Sequence, residues 1–213
     1  MNELQQKPHL IYVMDPMCSW CYGFAPIINQ VKQEQEKQLG FKLVMGGLRP
    51  GTNSTLEEAS KASMKQHWLD VAQVTAQPFD YNFFERSDFV YDTEPASRAV
   101  VTMRYMKPEA EFAFAKAIQH AFYAQNQDIT KTEVLLEIAT RFGVDQTVFI
   151  ASFASEEAKE KTAQDFLIAR QLQANAFPSL YLLSTAKVFL INRGYSLYEA
   201  VSSRLTEALQ KLF

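Results

Sequence analysis

Asp15-Pro16-Met17-Cys18-Ser19-Trp20-Cys21-Tyr22-Gly23 decides how this chain is read, because it holds both cysteines of the protein, at positions 18 and 21. The run before it, Leu10-Ile11-Tyr12-Val13-Met14, is apolar and short and predicts a β-strand. After it, Cys21, Phe24, Ile27, Ile28 and Val31 recur at steps of three and four, the spacing of one helix face. A Cys-x-x-Cys pair between a strand and a helix has a chemical use. Cys18 falls near the helix N-terminus, where unpaired N–H groups and the helix dipole favour a thiolate. Cys21 lies one turn on, on the same face, and can close a disulfide with Cys18. Two other readings compete. A zinc site needs four ligands, and the only additional soft candidates, His9, His67 and His120, lack ligand spacing. Two inert core thiols are the second alternative. The strand–motif–helix context favours thiol–disulfide chemistry over both.

Composition bounds the rest. At 213 residues, 47% hydrophobic and 21% charged, with net charge −3, the chain has the make-up of a globular domain large enough to carry an insertion. That charge balance argues against a nucleic-acid surface. No stretch approaches the ~20 apolar residues of a membrane span. The polar start, Met1 to Pro8, has no apolar core of a signal peptide. The expectation is a cytoplasmic protein, where a cysteine pair serves catalysis rather than as a structural staple.

The first helix is expected from Cys18 to Gln38, kinked at Pro26 and closed at Leu39-Gly40. Phe41 to Met45 reads as a second strand, ended by the turn Gly46-Gly47-Leu48-Arg49-Pro50-Gly51. From Asn53 the pattern becomes helical. A capping box at Ser54-Thr55-Leu56-Glu57-Glu58 opens a helix to Ala76. An aromatic stretch follows, with Phe79, Tyr81, Phe83, Phe84, Phe89 and Tyr91. Helices are then expected from Pro95, from Glu109 to Gln125, from Thr130 to Phe142 and near Gln146 to Phe153. A long helix from Glu156 to Ala174 should turn Ala163, Phe166, Leu167 and Leu172 inward. Ser179 to Leu183 and Lys187 to Ile191 form an antiparallel hairpin across Ser184-Thr185-Ala186. A last amphipathic helix carries Leu197, Val201, Leu205, Ala208, Leu209 and Leu212.

This order resembles the DsbA-like branch of the thioredoxin superfamily. Within it, residues 14–23 are similar to the active-site segment of the FrnE-like group of protein-disulfide isomerases; residues 46–51 and Asp92-Thr93-Glu94-Pro95-Ala96-Ser97-Arg98-Ala99 are similar to further segments of that group. The resemblance implies an α/β fold: a thioredoxin-like core, β-α-β then α-β-β-α, with an all-helical insertion between the second strand and the following helix. The core would take residues 1–52 and 154–213, and the insertion 53–153.

The resemblance also implies a cis-proline beside the cysteine pair, which Phe177-Pro178 matches by position. Cys18, nearest the helix start, is the expected nucleophile and Cys21 the resolving thiol. Ser19, Trp20, Phe177 and Pro178 are expected to contact substrate. Trp20 either meets apolar substrate segments or packs against the insertion. Ser19-Trp20 stands where DsbA has Pro-His, and the missing cation implies a less oxidising pair. Phe177 is larger than the residue usual there. Arg49 is either a binder of an anionic substrate or a plain surface arginine; Asp15 and Asp92 read as turn or cap residues. The substrate is a protein or small-molecule thiol or disulfide, without metal or organic cofactor and with glutathione as a candidate co-substrate. Two alternatives stand: a glutathione-dependent transferase or isomerase of the kappa-class or hydroxychromene-carboxylate-isomerase type, and a non-enzymatic binding domain. Oligomeric state is left open.

Overall fold

Leu10, Tyr12 and Met14 point to one face of the first strand and Ile11 and Val13 to the other, and all five are buried. That strand, β1 (His9–Met14), is therefore central and covered on both sides. The computed structural model describes residues 7–185 and 187–212. Residues 1–6, most of the polar start read above, lie outside the described residues, as do Ala186 of the expected hairpin turn and Phe213. The sheet order is β2-β1-β3-β4. Strand β2 (Gly40–Met45) pairs parallel with β1, while β3 (Ser179–Leu183) runs antiparallel to β1 and to β4 (Val188–Arg193). This is the α/β, thioredoxin-like arrangement that the motif order implied.

Helix α1 (Ser19–Gln35) passes through Pro26 unbroken and buries Phe24, Ile28 and Val31. It shares one sheet face with α8 (Tyr198–Gln210), which contributes Val201, Leu205 and Ala208. Helix α7 (Glu156–Gln171) covers the other face, where Ala169 meets Ile11, Val13 and Val44. Between β2 and α7 come α2 (Glu58–Thr75), a 3₁₀ turn at Tyr81–Glu85, α3 (Glu94–Met106), α4 (Glu111–Tyr123), α5 (Thr132–Thr140) and α6 (Gln146–Ala154). One core runs from Leu10 and Phe24 in the sheet layer to Phe114 and Phe149 in this helical segment. Among the described residues no helix is long and apolar enough to cross a membrane.

Several local expectations are corrected. Helix α1 stops at Gln35, and Gly40 opens β2 instead of capping the helix. The capping box at Ser54 is not used: Leu56 donates its N–H to the Phe89 carbonyl, Thr55 bridges Val90, and α2 starts only at Glu58. Extended pairing there outcompetes the helical turn. Helix α4 starts at Glu111, after a separate 3₁₀ turn at Pro108–Ala110. Leu197 precedes α8 as its N-cap and is 60% exposed.

The largest correction concerns α7. Ala163 and Leu167 face solvent, and the buried face is Ala158, Thr162, Asp165 and Ala169. Asp165 turns the helix because it pairs with Arg104 of α3 (2.7 Å), whose side chain also pairs with Glu111 of α4 (2.5 Å). Arg104 donates to the Leu43 carbonyl of β2 as well, and Asp165 accepts the Met45 N–H, both at 2.9 Å. Burial opposes the charge on Arg104, but Asp165 and Glu111 outweigh it and hold the guanidinium more firmly protonated. One ionic joint thus links three helices to an inner stretch of β2.

Candidate active site

The strand register brings the site together. Met14 pairs with Met45, and Val13 pairs with Ser179. The loop leaving β1, the loop leaving β2 and the residues entering β3 therefore meet at one end of the sheet. The first carries Cys18, the second Gly46 to Arg49, and the third Phe177 and Pro178.

Cys18 is the N-cap residue of α1, in extended conformation, with its carbonyl accepting from the Tyr22 N–H at 3.0 Å. Its side chain sits on the sheet-end side, 8% exposed, and its thiol donates to the Phe177 carbonyl across 3.7 Å. The Phe177–Pro178 peptide bond is cis. Cys21 is fully buried beneath Cys18, and neither thiol is in a disulfide. Burial, with Cys18 as neighbour, pushes the Cys21 thiol well above the ordinary thiol range.

Phe177 fits its place because of Gly46. A Cβ at residue 46 would come within 2.3 Å of the Phe177 ring, so the missing side chain makes the ring's seat. Gly47 is held at φ +68°, where an L side chain is strained, and its own face is closed by Phe166.

Asp15 does more than close a turn. It is fully buried and accepts the N–H groups of Met17 (2.9 Å) and Leu48 (2.7 Å), tying the cysteine loop to the loop after β2. Burial pushes its carboxyl up to about 6, against the pull of those N–H groups and the Thr93 hydroxyl. Asp92 does act as a turn residue, accepting from Gly51 and Glu94 N–H groups at 2.8 and 3.0 Å. Tyr91 reaches across from the helical segment and donates to the Met17 carbonyl.

Cys18 opens into a groove of about 640 Å³. Ser19, Trp20 and Phe177 line it; Pro178 is buried behind them. Trp20 packs on Tyr195, ring centroids 5.5 Å apart, rather than into the helical segment. Arg49 also lines the groove, with its guanidinium 5.6 Å from the Tyr91 ring centre. The opposite wall is one face of α2: Ser60, Ser63, Met64 and His67. Sequence alone does not single out His67: its spacing with Ser60 and Ser63 is the one signal, and a polar stripe alone reads as solvent-facing. His9 lies at the start of β1, against Gly40, and His120 in α4.

The aromatic stretch is packing. Trp68 of α2 is its hub, with Phe79, Phe83, Phe84, Phe122 and Tyr123 at centroid distances of 4.8–5.7 Å. Tyr91 and Trp68 alone among these rings also line the groove. Among the described residues no three His, Cys, Asp or Glu side chains are grouped to hold a metal.

Fold and site define a thioredoxin-type protein with a DsbA-like arrangement, and the chain belongs to the thioredoxin family: the family profile described as "Thioredoxin" matches residues 11–198. It is similar to a candidate protein disulfide isomerase from Nitrosomonas europaea, with 39% identity, TM-score 0.90, and coverage of 97% of this chain and 99% of that one. It is also similar to the cytosolic disulfide reductase DsbM from Pseudomonas aeruginosa, with 25% identity, TM-score 0.77, and coverage of 96% and 100%. The DsbM structure has also been solved with GSH. Among curated proteins it is similar to the ClpXP adapter protein SpxH of Shouchella clausii, 24% identical over 175 residues, 82% of this chain and 57% of that protein. The chain spans between 57% and 66% of the length of the curated relatives it matches.

Proposed function

We propose that the protein is a thiol–disulfide oxidoreductase in which Cys18 attacks and Cys21 resolves. The observation that carries this reading is the stacking of the pair: one thiol at the floor of an open groove, the second sealed beneath it. Cys18 attacks a substrate disulfide, forms a mixed disulfide and releases one substrate thiol. Cys21 then attacks Cys18 Sγ, the internal bridge forms and the second substrate thiol leaves. The Phe177 carbonyl beside Cys18 is an acceptor for an extended substrate backbone, a form of strand addition. Ser19 and Trp20 contact the substrate from the α1 side.

The groove's polar wall, with His67 on one side and Arg49 on the other, suits small anionic thiols and their disulfides. Glutathione is the co-substrate we assign to it, in line with the GSH-containing structure of the related DsbM. The reading requires no metal or organic cofactor. It places the protein in the cytosol, as DsbM is described. The helical insertion, residues 53–153, serves in this reading as the wall that shapes the groove.

The test is trapping. With Cys21→Ala, Cys18 should be recovered in mixed disulfides, including one with glutathione; with Cys18→Ser none should form. Glutathione-dependent turnover that survives Cys21→Ala would instead favour a transferase or isomerase. A second reading, a protein-binding adapter, has the curated relatives behind it. It predicts partner binding that is unaffected by Cys18→Ser.

A further inference from the structure

Tyr12 takes no part in the exchange chemistry above, yet it lies directly under it. It belongs to β1, is 3% exposed, and its ring packs 6.0 Å from that of Phe24. Its hydroxyl is buried without a formed hydrogen bond among the described residues. It belongs to the same packed cluster as the two thiols, and theirs are the charges that act on its phenol, Cys21 ahead of Cys18. Of the neighbouring phenols, Tyr91 donates to the Met17 carbonyl and Tyr22 to the Pro78 carbonyl, while Tyr123 is, like Tyr12, buried without a formed hydrogen bond. A buried hydroxyl left without a partner is costly. One aimed at a sulfur that becomes charged only during the reaction is a preorganised donor.

A second observation points the same way. Tyr12 also lines a cavity of about 270 Å³ between α1 and α4, bounded by Asn29, Lys32, Phe112, Lys116 and Gln119. That cavity shares no residue with the substrate groove. Tyr12 thus borders both the thiols and a second space, lined by apolar as well as charged side chains, apart from the substrate groove.

We infer that Tyr12 is a catalytic residue of the resolving step, its O–H donating to the Cys21 sulfur as that sulfur becomes a thiolate, with the cavity between α1 and α4 linking the pair to solvent. This rests on the dithiol-exchange reading. In the step, Cys21 gives up its proton to solvent water and its sulfur attacks Cys18 Sγ in the mixed disulfide. The Cys18–Cys21 bond forms and the bond from Cys18 to the substrate sulfur breaks. The substrate leaves as a thiolate and takes a proton from solvent, so the dithiol is oxidised as the substrate disulfide is reduced. The titratable groups around the pair are Cys18 and Asp15 on the motif loop, Tyr91 before α3 and Tyr123 on α4; Lys32, Glu109 and Lys116 line the cavity.

The experiment uses reduced protein and oxidised glutathione, with acid quenching and mass analysis of the Cys18–glutathione adduct. Tyr12→Phe should lengthen the adduct's lifetime about tenfold to a hundredfold at pH 7, the size of a lost hydrogen bond to a charged group. The gap should narrow as pH rises and the Cys21 thiolate forms unaided. In a Cys21→Ala background, adding Tyr12→Phe should leave the rate of glutathione capture unchanged. An unchanged adduct lifetime, or an equal loss in the capture rate, overturns the role of Tyr12. Absence of any adduct in the Cys21→Ala protein overturns the oxidoreductase reading itself, and this inference with it.

Discussion

The Cys18 thiol lies 3.7 Å from the carbonyl oxygen of Phe177, a residue 159 positions further along the chain. The contact exists because β1 and β3 are antiparallel neighbours, with Val13 opposite Ser179. It leaves Cys18 facing the groove while Cys21 is covered from every side. Thiol labelling of the reduced native protein should therefore be sequential. Iodoacetamide should modify Cys18 first, and Cys21 only after denaturation, read by peptide mapping. Equal labelling rates would contradict the stacking of the two thiols.

Gly46 and Phe177 form a second dependence across the same site. A methyl group at 46 meets the Phe177 ring within 2.3 Å, so Gly46→Ala should destabilise by about 1–3 kcal/mol, the usual cost of overpacking. It should also slow disulfide capture by Cys18, whose thiol contacts the Phe177 carbonyl. Combining Gly46→Ala with Phe177→Ala should cost less than the sum of the two single changes, because the smaller side chain vacates the space. Strict additivity in urea titrations would show that the two residues do not compete for it.

Asp15 gives a pH dependence with a definite sign. The folded protein holds the Asp15 proton up to about pH 6, whereas an unfolded chain releases it near 3.8. Between these values the native state binds more protons, so this residue's contribution falls as pH rises. Relative to Asp15→Asn, which does not titrate, the wild type should lose about 2 kcal/mol between pH 4 and pH 7, at 1.36 kcal/mol per unit. Chemical denaturation at the two pH values measures it. A stability difference that stays constant would mean that Asp15 is not held protonated.

The joint at Arg104 predicts an order of effects. Removing Asp165 leaves a buried guanidinium short of its bidentate partner and the Met45 N–H without its acceptor. Asp165→Ala should cost about 3–5 kcal/mol, as breaking a buried ion pair does. Glu111→Ala, which removes one contact to Arg104 and no hydrogen bond to the backbone of β2, should cost less. Urea midpoints with an unchanged slope would measure both; the reverse order would mean that the sheet contact does not matter.

This joint also marks where sequence reading stopped. The strand, the motif and the apolar face of α1 are local patterns, and β1, Cys18 and Cys21 stand where those patterns put them. Phe177-Pro178 was found by resemblance, since no local pattern ties residue 178 to residue 18. In α7 the apolar spacing chose Ala163 and Leu167, because a periodicity cannot know that Asp165 has a cation waiting 61 residues upstream. His67 escaped for the same reason: the wall that it helps to build exists only once α2 crosses over Cys18. Trp68 reads as one apolar residue in a mostly polar helix until the rings of residues 79–84 and of α4 gather around it.

The chain has two tryptophans, and the fold has sent them to different places. Both touch the groove, but Trp20 lies between the two cysteines in sequence and rests on Tyr195, whereas Trp68 is buried among rings of the helical segment. The molecule therefore carries two built-in fluorophores with separate jobs. Emission that changes when the dithiol is oxidised should come chiefly from the first, and emission that shifts when the helices come apart chiefly from the second. Replacing either one with phenylalanine leaves a single reporter, so that electron transfer and unfolding can be followed independently in the same cuvette.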